Sequence, residues 1–328
     1  MKEQGLLEGK KILITGGTGS FGTAMVDILV NRYNPKRIII YSRDELKQFQ
    51  FAKKYQTMGD GQVRLLIGDV RDKDRLYRAM KDVDYVFHAA ALKQVPSCEY
   101  NPDEAVKTNI DGALNVIDCA IRNEVYRVVM LSTDKAVNPI NLYGATKLVS
   151  EKLFIHGNTL TQQRATKFSV VRYGNVLGSR GSVIETFEEQ KKEHGKLFLT
   201  DPSMTRFWWT IEQACNFVLF ALANMHGGEI FVPEIEASTM GELAIAYGGD
   251  IPVEVIGRRP GEKMHESLIS QDEVSRTNNE GWCYLIVPEG FLNYKYDSMH
   301  RVSKDFSFTS NTQLMENSIS TLRKMIME

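Results

Sequence analysis

Four residues near the middle of the chain could move protons: Asp134, Lys135, Tyr143 and Lys147. Tyr143 and Lys147 are four positions apart, so on a helix their side chains lie on one face. An ammonium group beside a tyrosine hydroxyl stabilises the phenolate, which can take a proton from an alcohol during hydride transfer. Asp134 and Lys135 add an acid and a base that a simple dehydrogenase does not need. The four residues therefore predict a reaction in which oxidation is only one step; an amphipathic helix face and a surface ion pair are the alternatives.

A glycine-rich loop follows the first predicted strand and opens the first predicted helix. Glycines at such a turn let backbone N–H groups approach a pyrophosphate at the helix N-terminus. In this strand–turn–helix context the pattern predicts a dinucleotide site, with a purely structural turn as the alternative. The residues expected to bind the cofactor here are Gly16, Thr18, Gly19, Ser20, Phe21 and Gly22.

The end of the second predicted strand selects between cofactors. An acidic residue there would hold the ribose hydroxyls of NAD, but the chain reads Tyr41-Ser42-Arg43. Ser42 can donate a hydrogen bond and Arg43 can pair with a 2′-phosphate, so NADP is preferred. Arg43 could instead be a solvated surface charge, and Asp44 could cap the next helix. Further cofactor contacts are expected from Asp69, Val70, Ala89, Ala90, Ala91, Lys93 and Asn109. Asn109 has helix capping or steadying of the backbone as alternatives.

The elements that would position these residues alternate between short apolar strands and longer helical patterns. This alternation predicts an α/β fold with a Rossmann-type, doubly wound parallel sheet. The predicted strands are 11–15, 37–41, 63–67, 85–88, 127–131 and 168–172, and the clearest predicted helices are 21–32, 111–123 and 143–154. From Gly174 the pattern is less regular. We expect an NADP-binding domain over residues 1–173 and mainly a substrate-binding lobe over 174–328, from which a strand or helix could return to the first domain.

The composition of the 328-residue chain excludes several functional classes. A formal net charge of −1 provides no basic field for nucleic acid. The four cysteines are far apart and form no CxxC pair, which argues against a metal site or disulfides and fits a reducing cytosol. A polar N-terminus without a signal-peptide core, and the absence of an apolar run near roughly 18 residues, predict a cytoplasmic protein without a membrane partner.

Several segments together resemble a known family, the inverting UDP-N-acetylglucosamine 4,6-dehydratases of the pseudaminic acid pathway. These enzymes belong to the extended short-chain dehydrogenase/reductase superfamily. The resemblance covers roughly the first 270 residues and lies in the glycine loop, Tyr143-x-x-x-Lys147 and the segments 41–46, 89–93, 132–135, 172–176, 178–182, 204–208 and 259–263. Two departures are Gln94, where the family often has histidine, and Arg258, where it often has an apolar residue. Both could alter the sugar or nucleotide preference.

The resemblance implies a redox-neutral cycle on a nucleotide sugar in a homo-oligomeric enzyme. Tyr143, assisted by Lys147, would deprotonate the C4 hydroxyl, a partly neutral Lys135 would remove the C5 proton, and a protonated Asp134 would release the C6 hydroxyl as water. Inversion at C5 would give a UDP-4-keto-6-deoxy-L-arabino-hexulose for bacterial surface glycans. Substrate contacts are expected from Lys93, Thr133, Asn175, Arg180, Arg206, Arg258, Arg259 and Glu262. The alternatives are a nucleotide-sugar C4 or C5 epimerase and, more distantly, a non-catalytic NADP-binding sensor or scaffold.

Overall fold

A computed structural model describes residues 2–55, 61–161, 166–288 and 300–327. The strands are β1 (Lys11–Thr15), β2 (Arg37–Ser42), β3 (Val63–Ile67), β4 (Tyr85–His88), β5 (Arg127–Thr133), β6 (Lys167–Tyr173), β7 (Asn175–Val176), β8 (Leu197–Leu199), β9 (Thr205–Trp209), β10 (Ile230–Pro233), β11 (Ala237–Thr239), β12 (Val253–Val255), β13 (Ser267–Ile269), β14 (Thr277–Asn279), β15 (Cys283–Ile286) and β16 (Phe308–Thr309). The α-helices are α1 (Lys2–Leu7), α2 (Ser20–Arg32), α3 (Glu45–Tyr55), α4 (Lys73–Ala79), α5 (Val95–Tyr100), α6 (Pro102–Val106), α7 (Gly112–Arg122), α8 (Leu142–Gly157), α9 (Val183–His194), α10 (Ile211–Asn224), α11 (Met240–Gly248) and α12 (Ser318–Met327). Shorter helical turns are Lys107–Asp111, Asp134–Ala136 and Gln271–Arg276.

The largest sheet has nine strands in the order β14-β15-β10-β6-β5-β4-β1-β2-β3. The seven strands from β10 to β3 pair in parallel, whereas both pairs that include β15 are antiparallel. The order β3-β2-β1-β4-β5-β6 is that of a dinucleotide-binding sheet. The predicted Rossmann-type, doubly wound fold is therefore confirmed.

The predicted strands agree closely with the sheet because most of them are apolar runs buried on both faces, whereas β3, at the sheet edge, is only partly buried. β1, β3 and β4 have the predicted bounds, and β5 continues two residues beyond Leu131. Ser132 and Thr133 belong to β5 because they pair with Arg172 and Tyr173 of β6. This extension carries the sheet up to the residues predicted to be catalytic.

The second half of the chain contributes to two parts of the structure. Its strands β10, β14 and β15 extend the large sheet, and α10 packs against α2. Three small sheets, β11-β9-β7, β12-β8 and β13-β16, lie outside the large one. A separate apolar cluster that includes Phe187, Leu197, Trp208, Leu243 and Leu322 forms the core of this smaller lobe. The predicted domain boundary after residue 173 stays a prediction.

Three negative findings concern the described ranges only. None of their helices is long and apolar enough to cross a membrane. They contain no group of three or more His, Cys, Asp or Glu side chains arranged to hold a metal ion. The four cysteines are free thiols and are buried.

Candidate active site

A cavity of about 640 Å³ lies at the carboxyl ends of the parallel strands. This is the edge at which open α/β sheets bind ligands. The predicted site residues that line it are Gly16, Thr18, Gly19, Ser20, Phe21, Ser42, Arg43, Asp69, Val70, Ala89, Ala90, Ala91, Lys93, Thr133, Lys135, Tyr143, Lys147, Asn175 and Arg180. The predicted residues outside its wall are Gly22, Asn109, Asp134, Arg206, Arg258, Arg259 and Glu262.

The glycine loop closes one end of the cavity with bare backbone. Gly16 has a φ of 65°, and a Cβ placed on it would lie 2.8 Å from the Cα and N of Ala90. A Cβ on Gly22 would lie 2.2 Å from the carbonyl oxygen of Gly17, so this glycine lets α2 pack against the loop. The loop therefore offers the close backbone approach at a helix N-terminus that a diphosphate requires. Gly22 lies behind the loop, where the lack of a side chain permits this backbone path, and it does not line the cavity.

The ends of β2 and β3 form the opposite end of the cavity. The Arg43 guanidinium lies 3.6 Å from the Asp69 carboxylate, and half of the Arg43 side chain is exposed. Partial burial acts to raise the pKa of Asp69, but hydrogen bonds from Arg71 and the charges of Arg71 and Arg43 lower it overall. The Ser42 hydroxyl accepts a hydrogen bond from Gln48 at 3.1 Å. Arg43 is thus an exposed cation on the cavity wall, as binding of a 2′-phosphate requires.

Two charged residues after Arg43 form a local pair. The Asp44 carboxylate accepts from the backbone N–H of Lys47 at 2.9 Å, which is the geometry of a helix cap. Its second oxygen lies 3.0 Å from the Lys47 ammonium. The predicted capping by Asp44 is therefore found. Lys47, which sequence reasoning missed, adds a second cation to this end of the cavity.

Asn109 lies behind the cavity wall and makes no direct contribution to it. Its side-chain amide donates to the Leu92 carbonyl at 3.0 Å and to the Thr146 hydroxyl at 2.9 Å. Its side-chain carbonyl accepts from the Leu92 N–H at 2.8 Å. Asn109 is 2% exposed. The prediction of direct cofactor contact is therefore corrected to the alternative role, in which Asn109 fastens the segment after β4 to α8.

A segment of the smaller lobe, residues 178–182, lies over the glycine loop. The Arg180 guanidinium donates to the Thr18 carbonyl at 2.9 Å, and the Arg180 N–H donates to the Ser20 hydroxyl at 2.9 Å. Lys93 donates to the Arg180 carbonyl at 2.8 Å. Arg180 was predicted to bind substrate, yet its contacts in this structure are with the cofactor loop. Residues 178–182 therefore lie between the predicted cofactor-binding region and the predicted substrate-binding region.

Helix α8 brings Tyr143 and Lys147 to the cavity. It begins after Asn141, whose side chain accepts from the Gly144 N–H at 2.8 Å. A Cβ on Gly144 would lie 2.1 Å from the Lys135 carbonyl oxygen, so only glycine lets the helix approach the turn at 134–136 this closely. The glycine directly after Tyr143 was the sequence signal for this contact, and it was overlooked.

The charges around Tyr143 differ from the predicted arrangement. Burial raises the pKa of Tyr143 to about 12, against the charge of Lys135 and a hydrogen bond with Thr133, which lower it. The Lys147 ammonium donates to the Leu131 carbonyl at 2.7 Å. Burial lowers the pKa of Lys147 to about 8, against the charge of Glu151. Lys135 therefore contributes a positive charge that acts on the Tyr143 hydroxyl, and the expected assistance by Lys147 stays a prediction.

Asp134 and Lys135 form an ion pair of which only Lys135 reaches the cavity. The Asp134 Oδ1 accepts from the Thr133 hydroxyl at 2.9 Å and from the Lys135 ammonium at 3.0 Å. Asp134 is fully buried, whereas a quarter of the Lys135 side chain is exposed. Burial alone would lower the pKa of Lys135, but the charges of Asp134 and Glu266 outweigh it and raise the pKa above its ordinary value. The expectation of a partly neutral Lys135 is therefore not met.

The structure places only some of the residues predicted to bind the nucleotide sugar at the cavity. Asn175 lines the cavity, and its buried Oδ1 has no hydrogen-bond partner within the described residues, as a ligand contact would require. Arg206 is buried and donates to the carbonyls of Thr205 and Met264 at 2.8 and 3.2 Å. Arg258 and Arg259 are exposed on a loop outside the cavity.

Glu262 also lies outside the cavity, and one of its oxygens accepts from the Arg259 N–H at 3.4 Å. The predicted contacts of the three arginines with the diphosphate, and of Glu262 with a ribose, stay predictions, because these residues lie outside the cavity wall in this arrangement. Residue type could not show that one nitrogen of the Arg206 guanidinium donates to two backbone carbonyls. Wall residues that the sequence did not single out as site residues include Thr108, Tyr173 and Trp208.

Comparison with protein families and curated proteins gives close matches over most of the chain. Residues 12–288 match the family model described as "Polysaccharide biosynthesis protein". A Campylobacter jejuni relative named UDP-N-acetylglucosamine 4,6-dehydratase (inverting) is 50% identical, over 92% of this chain and 87% of the relative. A Rickettsia bellii relative named UDP-glucose 4-epimerase is 46% identical, over 87% of this chain and 85% of the relative.

Solved structures extend the comparison to the fold. Pen from Bacillus thuringiensis is 38% identical and aligns with a TM-score of 0.90 over 98% of both chains. DesIV from Streptomyces venezuelae, a dTDP-glucose 4,6-dehydratase solved with NAD and TYD bound, is 23% identical and aligns with a TM-score of 0.67. That alignment covers 77% of this chain and 86% of DesIV, and it shows a shared fold.

Proposed function

This chain belongs to the polysaccharide biosynthesis protein family of extended short-chain dehydrogenases/reductases, and we propose that it is an inverting UDP-N-acetylglucosamine 4,6-dehydratase that uses NADP. One observation carries the proposal. Tyr143, Lys147 and the Asp134–Lys135 ion pair meet at the carboxyl edge of a dinucleotide-binding sheet, next to a bare glycine loop. An alcohol-oxidising pair thus stands beside a second acid–base pair, as a dehydration requires.

The cofactor proposal rests on both ends of the cavity. The glycine loop supports a diphosphate, and Arg43 and Lys47 supply two cations where an NAD site would have an acidic residue. When bound, NADP would supply the redox chemistry, taking up a hydride from C4 of the sugar and giving it back at C6. The remaining steps are proton movements by residues of this chain.

The proton movements divide between the two pairs. Tyr143, as the phenolate, receives the proton of the C4 hydroxyl; burial raises its pKa to about 12, and the positive charge of Lys135 opposes that rise and so favours the phenolate. The resulting C4 ketone acidifies the C5 proton. The charged Lys135, which lines the cavity, donates a proton to the departing C6 hydroxyl, so that water leaves. The C5 proton is received by the Asp134–Lys135 pair, which therefore ends with the number of protons it had at the start.

This division reverses the roles predicted from the sequence, in which Lys135 was the base and Asp134 the acid. An ammonium group held between carboxylates is a proton donor, and a carboxylate that accepts two hydrogen bonds on Oδ1 is an acceptor. Reprotonation of C5 from the opposite face would invert that centre and give the L-arabino product; this step uses one proton, which the loss of the proton received by Tyr143 balances, so that the phenolate is restored. The downstream surface glycan and the homo-oligomeric state stay predictions.

The second candidate function is a nucleotide-sugar epimerase, which the names of the Rickettsia relatives favour. Incubation of the purified protein with UDP-N-acetylglucosamine in heavy water separates the two functions. We expect NMR to show a 4-keto-6-deoxy product with deuterium and inverted configuration at C5. Recovery of the C4 epimer without loss of water would instead establish the epimerase, and cofactor binding without turnover would favour a sensor.

The variant Lys135→Ala tests whether Lys135 takes part in the dehydration. Dehydration should be lost, while NADP binding should stay unchanged because the cofactor contacts are expected from the glycine loop and from the ends of β2 and β3, and Lys135 belongs to the acid–base pair with Asp134. Unchanged turnover would remove Lys135 from the mechanism. The dissociation constant for NADP, measured by fluorescence, is the control for folding.

A further inference from the structure

Glu266 is a buried carboxylate that no motif predicted to be functional. It lies directly before β13 in the smaller lobe and is 3% exposed. Its Oε1 is 3.8 Å from the Lys135 Nζ, and its Oε2 is 3.6 Å from the Lys263 Nζ. A buried charge is strongly unfavourable unless it is paired, so the position of Glu266 between two ammonium groups needs an explanation.

The backbone around Glu266 is fixed on both sides. Its N–H donates to the Ser310 hydroxyl at 2.9 Å, and its carbonyl accepts from the Ser310 N–H at 2.8 Å. Lys263 donates to the carbonyl of Val137, directly after the turn that contains Lys135, at 2.6 Å. The smaller lobe therefore contacts the 134–137 segment at two points, through Lys263 and through Glu266. The approach of Glu266 to Lys135 is a result of this docking.

Charges of both signs surround the Lys135 ammonium. Asp134 lies on its own turn and Glu266 on the segment before β13, and both favour the charged form. The other titratable or charged groups that face Lys135 or its carboxylate partners are Tyr143 on α8, Lys93 after β4, Arg206 on β9, and Lys263 and His265 before β13. Glu266 is thus the counter-ion that the second lobe contributes against several cations.

We propose that Glu266 is a positioning residue that holds Lys135 at the cavity wall as an ammonium group, ready to donate a proton to the sugar. The inference deepens the proposed dehydration and rests on it for the fate of that proton. Docking of the smaller lobe would then complete the acid–base pair, because the second counter-ion of Lys135 comes from the segment before β13. Glu266 acts through Lys135 and does not itself line the cavity.

The direction in which Glu266→Gln should change the pKa of Lys135 follows from the charges. Removal of an anion near an ammonium group lowers its pKa, by about 1–3 units for a partner at this range. In Glu266→Gln, Lys135 would therefore lose its proton at a lower pH than in the wild type. Because the charged form is the proton donor, the fall of kcat at high pH should begin at a lower pH. The KM for the nucleotide sugar should change little.

The protonation state of Lys135 can be measured without turnover. Trace acetic anhydride acetylates only neutral amines, and mass spectrometry reports the labelling of each lysine. In Glu266→Gln we expect Lys135 to be labelled about tenfold faster or more at a pH below the pKa of the wild-type group. Glu242→Gln is the matched control, since Glu242 is a partly buried carboxylate of the same lobe that caps α11 away from the cavity. It should leave both Lys135 labelling and the pH profile unchanged.

The outcomes distinguish this inference from the proposed function. Folded Glu266→Gln with unchanged labelling of Lys135 would overturn the inference, as would an equal change in Glu242→Gln. Should Glu266→Gln fail to fold, Glu266→Asp keeps the charge on a shorter side chain; a smaller increase in labelling is expected, and no increase overturns the inference. Faster labelling in a protein whose wild type dehydrates no UDP-N-acetylglucosamine would support the position of Glu266 and reject the dehydration.

Discussion

Replacement of Lys147 by methionine should stabilise the folded protein near neutral pH while it abolishes turnover. Lys147 is 4% exposed, and its ammonium group donates to the carbonyl of Leu131 at 2.7 Å. Burial lowers its pKa to about 8, against the charge of Glu151, from an ordinary value of 10.5. The folded state therefore binds this proton less tightly than the unfolded state does.

The magnitude follows from the two pKa values. The unfavourable contribution is fully present below pH 8 and disappears as the pH rises from about 8 to 10.5. A difference of about 2.5 pH units corresponds to about 3 kcal/mol of unfolding free energy. Loss of the hydrogen bond to Leu131 costs about 1 kcal/mol. We therefore expect Lys147→Met to be more stable than the wild type by about 2 kcal/mol at pH 7, and slightly less stable near pH 10.5.

Urea denaturation of the cofactor-free protein at pH 7 and at pH 10.5 measures this difference. Lys192→Met is the control, because Lys192 is an exposed lysine on α9 and its replacement should change stability by less than about 0.5 kcal/mol. A Lys147→Met protein that is less stable than the wild type at pH 7, or whose stability difference does not depend on pH, would refute the reasoning. The loss of activity in Lys147→Met would be measured as the loss of dehydration of UDP-N-acetylglucosamine.

Three further predictions concern the cofactor site and the core. Arg43→Ala should weaken NADP about 10- to 100-fold and leave NAD unchanged, because a charge-assisted contact to the 2′-phosphate contributes about 1.5–3 kcal/mol; equal effects on both cofactors in fluorescence titrations would refute this role. Gly16→Ala should weaken NADP and NAD alike by more than about tenfold, since its Cβ would lie 2.8 Å from the Ala90 backbone at a φ of 65°; unchanged titrations would contradict it. Arg172→Met should lower the unfolding free energy by about 3–5 kcal/mol in urea, because it leaves two buried glutamates without their shared cation, and a loss below about 1 kcal/mol would contradict this.

Part of the site could be predicted from the sequence because its signals are local. The glycine loop, Ser42 and Arg43, and the spacing of Tyr143 and Lys147 each lie within a few residues, and they line one cavity because parallel strands end at one edge. Most of the strands themselves are apolar runs buried on both faces, so their bounds follow from composition. Asp44 shows the limit of such local signals, because its position suggested a helix cap, and only the contact with the Lys47 N–H established that role.

The predictions that the sequence could not decide concern residues whose contacts depend on distant parts of the chain. Arg206 was expected to bind phosphate, and in the structure one of its nitrogens donates to the carbonyl of Met264, 58 residues away. Asn109 was assigned to the cofactor, but its side chain joins Leu92 to Thr146. Residue type gives the hydrogen-bonding capacity of a side chain, whereas tertiary contacts decide how much of that capacity remains for a ligand.

The sequence by itself determined the parallel sheet and the glycine loop and singled out the residues that we propose transfer protons, because strand burial, turn geometry and helix periodicity act over short stretches of chain. Only the tertiary structure decided their charge states and therefore their division of labour. Lys135 is held as an ammonium group by Asp134 beside it and by Glu266, 131 positions later in the chain. A pKa depends on every charge and on the burial around a group, and those are set only when the second lobe packs against the first.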